Sequence, residues 1–220
     1  MKFRRKQSDD PDVETPEASE PELAEELPED AGRVRADGPW DVSEVELEED
    51  DPNAIDLGGL IVRGQPGIEL QMQVEEQTGE VIAVLLASAD GAVELRPFAA
   101  PRHGDIWDDA RRSIAAEVTQ HGGTATEADG PFGKELHVMM TVQTPDGGTG
   151  QQPSRVLGIP GPRWMLRATL FGRPALDPAE DGDVESALRE VVVVRGNEPM
   201  PPGDPLPLTV PANAEFGEPE

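Results

Sequence analysis

The sequence predicts an α+β domain: a single antiparallel sheet of about seven strands, covered by a long helix, with a second helix near the C-terminus. Three observations predict it. Residues 68–75 alternate strictly, with Ile68, Leu70, Met72 and Val74 on one side and Glu69, Gln71, Gln73 and Glu75 on the other, the period of a half-buried antiparallel strand. Residues 105–121 switch to helical period, with Ile106, Ala110, Ile114 and Val118 on one face and Trp107 beside it. The apolar segments are separated by short stretches rich in Gly, Pro and Asp, so strand follows strand through tight turns.

The elements follow in order. Residues 55–62 read as one strand with an irregularity at Gly58-Gly59. After the turn at Arg63-Gly64-Gln65-Pro66-Gly67 comes the alternating strand 68–74. Residues 81–87 are apolar on both faces and belong in the middle of a sheet. Asp90-Gly91 is hairpin chemistry and leads into strand 93–98. The helix then runs from Asp105, a first-turn acid, to Gly122-Gly123, which stop it. A short strand is expected at 124–128. Leu136, Val138, Met140 and Val142 alternate with Glu135, His137, Met139 and Thr141. Strands at 155–159 and 164–171 follow. The second helix starts near Asp183, with Val184, Ala187, Leu188 and Val191 on one face.

Charge divides the chain. Its net charge is -27, and residues 1–53 hold 19 Asp/Glu against 6 Lys/Arg. Such a segment, with few large apolar residues, buries too little surface to offset its ordering entropy. The expected organisation is an acidic, mostly disordered arm over 1–53, an α+β domain over 54–197 and a Pro-rich extended tail over 198–220. Trp40, a lone large apolar residue in the arm, is the candidate anchor that pins the arm onto the domain. The basic start, Lys2, Arg4, Arg5 and Lys6, is followed by Gln7-Ser8-Asp9-Asp10 and not by the apolar stretch of a signal peptide.

Composition excludes several chemistries. With no cysteine there is no disulfide, no Cys-ligated zinc, no iron–sulfur cluster and no thiol catalysis, and a reducing cytoplasm is the compartment that agrees with this. No apolar run reaches membrane-span length. The acidic balance argues against nucleic-acid binding by the domain.

Motifs give little chemistry. Gly147-Gly148-Thr149-Gly150 lacks the lysine and the following helix of a phosphate loop and reads as a hairpin connection. Asp105, Asp108 and Asp109 sit in one helical turn, where the helix dipole favours acids. His103, His121 and His137 have no metal-ligand spacing, and no serine lies in a nucleophile elbow. No catalytic residue, metal ligand or cofactor is expected.

The most informative local feature is the run from Arg163 to Phe171. Trp164, Leu166, Ala168 and Leu170 are expected to face the helix and core, with Arg163, Met165, Arg167, Thr169 and Phe171 on the opposite face and Arg155 and Arg173 flanking. Four arginines in so acidic a chain are candidates for contact with an anionic ligand or with the acidic arm, because guanidinium forks suit carboxylate and phosphate. Plain pairing with acids on neighbouring strands, such as Glu69, Glu75 or Glu135, ranks ahead of both.

Ile106-Trp107-Asp108-Asp109-Ala110-Arg111, Gly130-Pro131-Phe132-Gly133, Gly161-Pro162-Arg163-Trp164, the stretch 192–200 and Asp204-Pro205-Leu206-Pro207-Leu208 together resemble an uncharacterised actinobacterial family, a domain of unknown function whose genes often lie near deoxyuridine triphosphatase. The resemblance covers about 38–211. It implies no activity, cofactor or site residue, and points only by association toward nucleotide metabolism. At the level of architecture the element order is similar to Mog1/PsbP-like and secretion-chaperone-like sheets, which often serve as binding modules. The expected function is therefore a non-enzymatic binding, adaptor or chaperone-like module with a protein partner. The alternatives are an enzyme or regulator of nucleotide metabolism with an anionic ligand on the arginine face, and an inhibitor whose acidic arm mimics nucleic acid.

Overall fold

The computed structural model describes residues 35–48, 51–144, 147–179 and 181–211. The basic start and the acidic arm through residue 34 lie outside the described residues, and so does the end of the tail from 212.

The centre of the protein is a seven-stranded antiparallel sheet. Its strands are Glu69–Val74 (β4), Val81–Ala87 (β5), Gly91–Ala99 (β6), Thr124–Gly130 (β7), Gly133–Gln143 (β8), Thr149–Gly161 (β9) and Trp164–Gly172 (β10). They lie in the order β4-β5-β6-β10-β9-β8-β7. Each meander pairs in sequence, and the two halves join where β10 pairs with β6, Trp164 opposite Ala99 through to Gly172 opposite Gly91. The glycine stretch after residue 146 is a hairpin connection, since Gln143 pairs with Thr149 across it.

A second sheet of four short strands was not foreseen. Trp40–Asp41 (β1), Ala54–Asp56 (β2), Leu60–Arg63 (β3) and Val192–Val193 (β11) are ordered β1-β11-β3-β2. The segment expected as one strand over 55–62 is thus two. Gly58 adopts φ +80, a left-handed conformation that favours glycine, and this lets the chain reverse between them. The pairing of β1 with β11 is parallel and ties the two ends of the domain together.

The helix Trp107–Gln120 (α1) packs over β7, β8 and β9. Beneath it lie Leu136, Val138, Val156 and Met165, with Ile114, Val118 and Met140 around them. The opposite face of the large sheet carries the main core. Trp164, Leu166, Ala168 and Leu170 lie there with Leu86, Val93, Leu95 and Ile159. The small sheet, the helix Asp183–Arg189 (α3) and the tail cover this core, contributing Leu60, Val193, Leu188 and Leu206. A short helix, Arg173–Leu176 (α2), follows β10 directly.

One expectation is corrected here. The face of β10 bearing Trp164 and Leu166 is the core face, but α1 lies on the other side, over Met165. Alternation fixes which residues share a face and leaves open which face the helix takes; β9 is buried on both sides, so its sequence shows no preference.

Packing also extends past the expected boundaries at 53 and 198. Arg35 and Asp41 are buried before the first boundary, and Leu206 and Leu208 after the second. The tail is held by its backbone: the Leu206 amide donates to the Pro97 carbonyl at 2.9 Å, and the Thr209 amide donates to the Leu57 carbonyl at 2.9 Å. Pro205 and Pro207 leave only alternate amides free to donate, which suits a segment lying along one edge.

Candidate functional site

The four arginines singled out in the sequence are dispersed. Arg155 is buried and donates from Nε and Nη2 to the two oxygens of Glu135, both at 2.9 Å, and from Nη1 to the Pro174 carbonyl at 3.1 Å. Glu135 is among the acids the sequence offered as partners; Glu69 and Glu75 lie at the far side of the sheet. Arg173 is exposed and pairs with Asp90 at 3.3 Å. It borders an acidic depression with Asp177, Asp181, Asp183 and Glu185, yet no described group of three or more acids or histidines is arranged to hold a metal ion. Arg163 occupies the turn between β9 and β10 at φ +60, and its carbonyl accepts from the Ala100 amide and from Arg195 Nε. Arg167 projects from β10 on the side away from the main core, its guanidinium 5.4 Å from the centre of the Phe98 ring.

The described part of the arm docks through other groups. A strap over residues 35–44 crosses Trp164. Arg35 stacks over the Trp164 ring at 5.0 Å and donates twice to Glu44, at 2.9 Å each, and once to the Pro39 carbonyl at 2.7 Å. Trp164 Nε1 donates to Asp41 at 2.7 Å. Asp41 also caps the turn that follows by accepting from the Ser43 amide, while the Asp41 amide donates to Glu44. Burial alone pushes the Glu44 carboxyl up, but the hydrogen bond from Arg35, the one from the Asp41 amide and the Arg35 charge outweigh it and hold it below its ordinary value. Trp40 lies half-buried in β1, its amide donating to the Val191 carbonyl at 2.9 Å. The sequence singled out the tryptophan; Arg35 and Asp41 are the buried charged groups of this strap.

On the other side of Trp164 a cleft opens at the start of α1. Its volume is about 280 Å³. Ile106, Trp107, Phe132, Pro160, Trp164 and Met165 supply apolar walls. Two glycines set the walls close together. A Cβ at Gly158 would enter the Trp107 ring, and one at Gly161 would enter the Trp164 ring. The charged groups at the rim are already engaged. Asp105 accepts from the Trp107 amide at 2.8 Å and caps the helix start. Arg111 pairs with Asp108 at 2.9 Å and with Glu127 at 3.0 Å, and Lys134 pairs with Asp129 at 2.6 Å. Trp107 Nε1 donates to the Lys134 carbonyl, which fixes the ring. The lining is apolar, with Trp164 fully buried and Trp107 nearly so behind it, and each charged group at the rim is ion-paired or accepts from a backbone amide.

The cleft joins segments far apart in the chain: 104–108, 132–134 and 158–165. A single family model spans them all, matching residues 38–216. The chain belongs to DUF3710, a family of proteins of unknown function. The match begins within the strap, at Gly38, and runs beyond the packed tail. Among solved structures, the solution structure of cyanobacterial PsbP (CyanoP) from Synechocystis sp. PCC 6803 is similar over 68% of this chain and 98% of that chain, at 9% identity and a TM-score of 0.37. Comparison with curated proteins gives no match. No helix among the described residues is long and apolar enough to cross a membrane.

Proposed function

We propose that the protein is a non-enzymatic binding module, an adaptor or chaperone-like protein of the cytoplasm, that receives an apolar side chain of a partner polypeptide in the cleft at the start of α1. The observation that carries this reading is the pairing of an apolar lining, backed by two buried tryptophans, with rim charges that are all committed to ion pairs or caps. Size supports it. Small-molecule and cofactor sites run from about 300 to 1,000 Å³, and a cleft of about 280 Å³, at the lower end of that range, has room for one or two side chains. The alternative of an anionic ligand at the arginines draws on Arg167 and on Arg163 in the turn before it, since Arg155 and Arg173 are engaged by acids. An inhibitor acting through a nucleic-acid-like arm rests on residues outside those described.

The test uses the three tryptophan indole N–H signals of the full chain in a peptide titration followed by NMR. Peptides carrying leucyl or aromatic residues should move the Trp107 and Trp164 signals saturably while the Trp40 signal stays. Ala100→Phe, which puts a ring into the cleft from its wall, should abolish the effect. Shifts that survive this substitution, or no shift with any apolar peptide, would overturn the reading.

A further inference from the structure

Helix α1 covers only the β7–β9 half of its sheet face. The other half, on β4, β5, β6 and β10, is covered by no helix among the described residues, and most of its side chains are half-buried. Gln71, Leu85, Glu94 and Thr169 form one cross-strand row on it. In the next row Arg96 of β6 stands directly opposite Arg167 of β10. Phe98 and Phe171 lie half-buried on the same face.

Directly opposed residues have Cβ atoms roughly 4.5–5.5 Å apart, and like charges in that position are destabilising. Two carboxylates, Glu94 and Glu117, partly offset this pair. On its other flank Arg167 faces Gly158, which has no side chain. Glu94 is engaged by Arg96 Nε at 2.8 Å, and Arg96 Nη2 reaches only Gln73, at 3.4 Å. Glu117 on α1 attracts Arg167 through space. Burial, and then the Arg96 charge, push the Arg167 guanidinium pKa down. The two arginines thus rise from directly opposed positions, Arg167 leaning over Phe98 and Arg96 held toward Glu94 and Gln73.

We propose that Arg96 and Arg167 together bind one oxyanion, a carboxylate or a phosphomonoester, carried on an apolar body that lies against Phe98. Two planar forks provide enough donors for both oxygens of a carboxylate or for three oxygens of a phosphate. The wider field of a chain with net charge -27 repels polyanions, so the fitting ligand carries a single charged group and gains the rest of its affinity from apolar contact. This site is separate from the cleft and stands on different residues, so either reading fails without the other.

The test is a titration of the full chain with phenylacetate, phenyl phosphate, acetate and inorganic phosphate, followed by NMR at the arginine Nε–H signals. Phenylacetate or phenyl phosphate should shift Arg96 and Arg167 saturably, and whichever binds more tightly identifies the headgroup. Acetate and inorganic phosphate should bind at least about tenfold more weakly, because they lack the apolar body. Arg167→Gln and Arg96→Gln should each lose about tenfold or more, while Glu94→Gln, which frees Arg96, should strengthen binding. Arg167→Lys retains the charge without the fork and guards against a folding defect; it should bind with intermediate affinity. The proposal is overturned if no probe gives a saturable shift, or if Arg167→Gln binds as the native protein does.

Discussion

Removing Glu135 should destabilise the protein more than any other single change of a charged residue. Its side chain and that of Arg155 are 4% and 6% exposed, and two parallel bonds of 2.9 Å join them. Each hydrogen bond to a charged group is worth about 1.5–3 kcal/mol net. Breaking a buried pair from one side costs about 3–5 kcal/mol, because the surviving charge stays desolvated and alone. Glu135→Leu leaves Arg155 with the Pro174 carbonyl as its remaining partner, so the loss should fall in that range. Half-exposed His137, which also contacts Glu135 at 2.6 Å, turns to solvent and adds little. The second half of the experiment is Glu135→Leu combined with Arg155→Met. With both charges gone no ion is stranded, and the double variant should lie within about 2 kcal/mol of the native protein. The assay is equilibrium denaturation followed through tryptophan fluorescence, completed as a double-mutant cycle. A single-variant loss under about 1 kcal/mol, or two losses that simply add, would refute the reasoning.

Three further outcomes are expected. Leu166→Ala, at a position with no exposure in the main core, should cost about 2–5 kcal/mol in a denaturant melt, and Ile114→Ala, under half-exposed α1, clearly less. Gly158→Ala drives a methyl group into the Trp107 ring and should cost about 1–3 kcal/mol, with a change in the near-ultraviolet circular dichroism of that indole. Glu44 is held below its ordinary range in the docked strap, so its contribution is complete above the unfolded carboxylate pKa and vanishes as pH falls through the depressed one. The protection of amides 40–44 relative to their intrinsic exchange rates should therefore fall on acidification, and Glu44→Gln should lower it already at neutral pH.

The large sheet was legible because its strands alternate or sit between unmistakable turns. Ile68 to Val74 displays period two in the sequence itself, and Asp90-Gly91 marks its hairpin. The helix was legible for the same reason, although its docking face was not, since parity within a strand says nothing about the far side of a sheet. The small sheet was hidden because two of its strands, β1 and β11, have only two residues each and take their order from partners distant in the chain. The strap was hidden by its composition. Arg35 and Asp41 look solvated in an acidic segment, and only the tertiary contact with Trp164 makes them buried. The arginines illustrate the limit most clearly. Spacing along β10 grouped Arg167 with Arg163, whereas the arginine directly opposite it is Arg96, on a strand that is remote in sequence.

The parallel pairing of β1 with β11 joins Trp40 to Val192. During synthesis the first of these leaves the ribosome long before the second exists. Closing so long a loop is entropically slow and becomes favourable only once the intervening meanders have condensed. The large sheet can form its local hairpins early, but the small sheet must wait for nearly the whole domain, and until then the Arg35–Trp164 contact lacks its seat. A nascent chain halted before Val192 would expose the core face of β10 to its surroundings, so this short ladder and the tail that follows it together seal the protein against premature association.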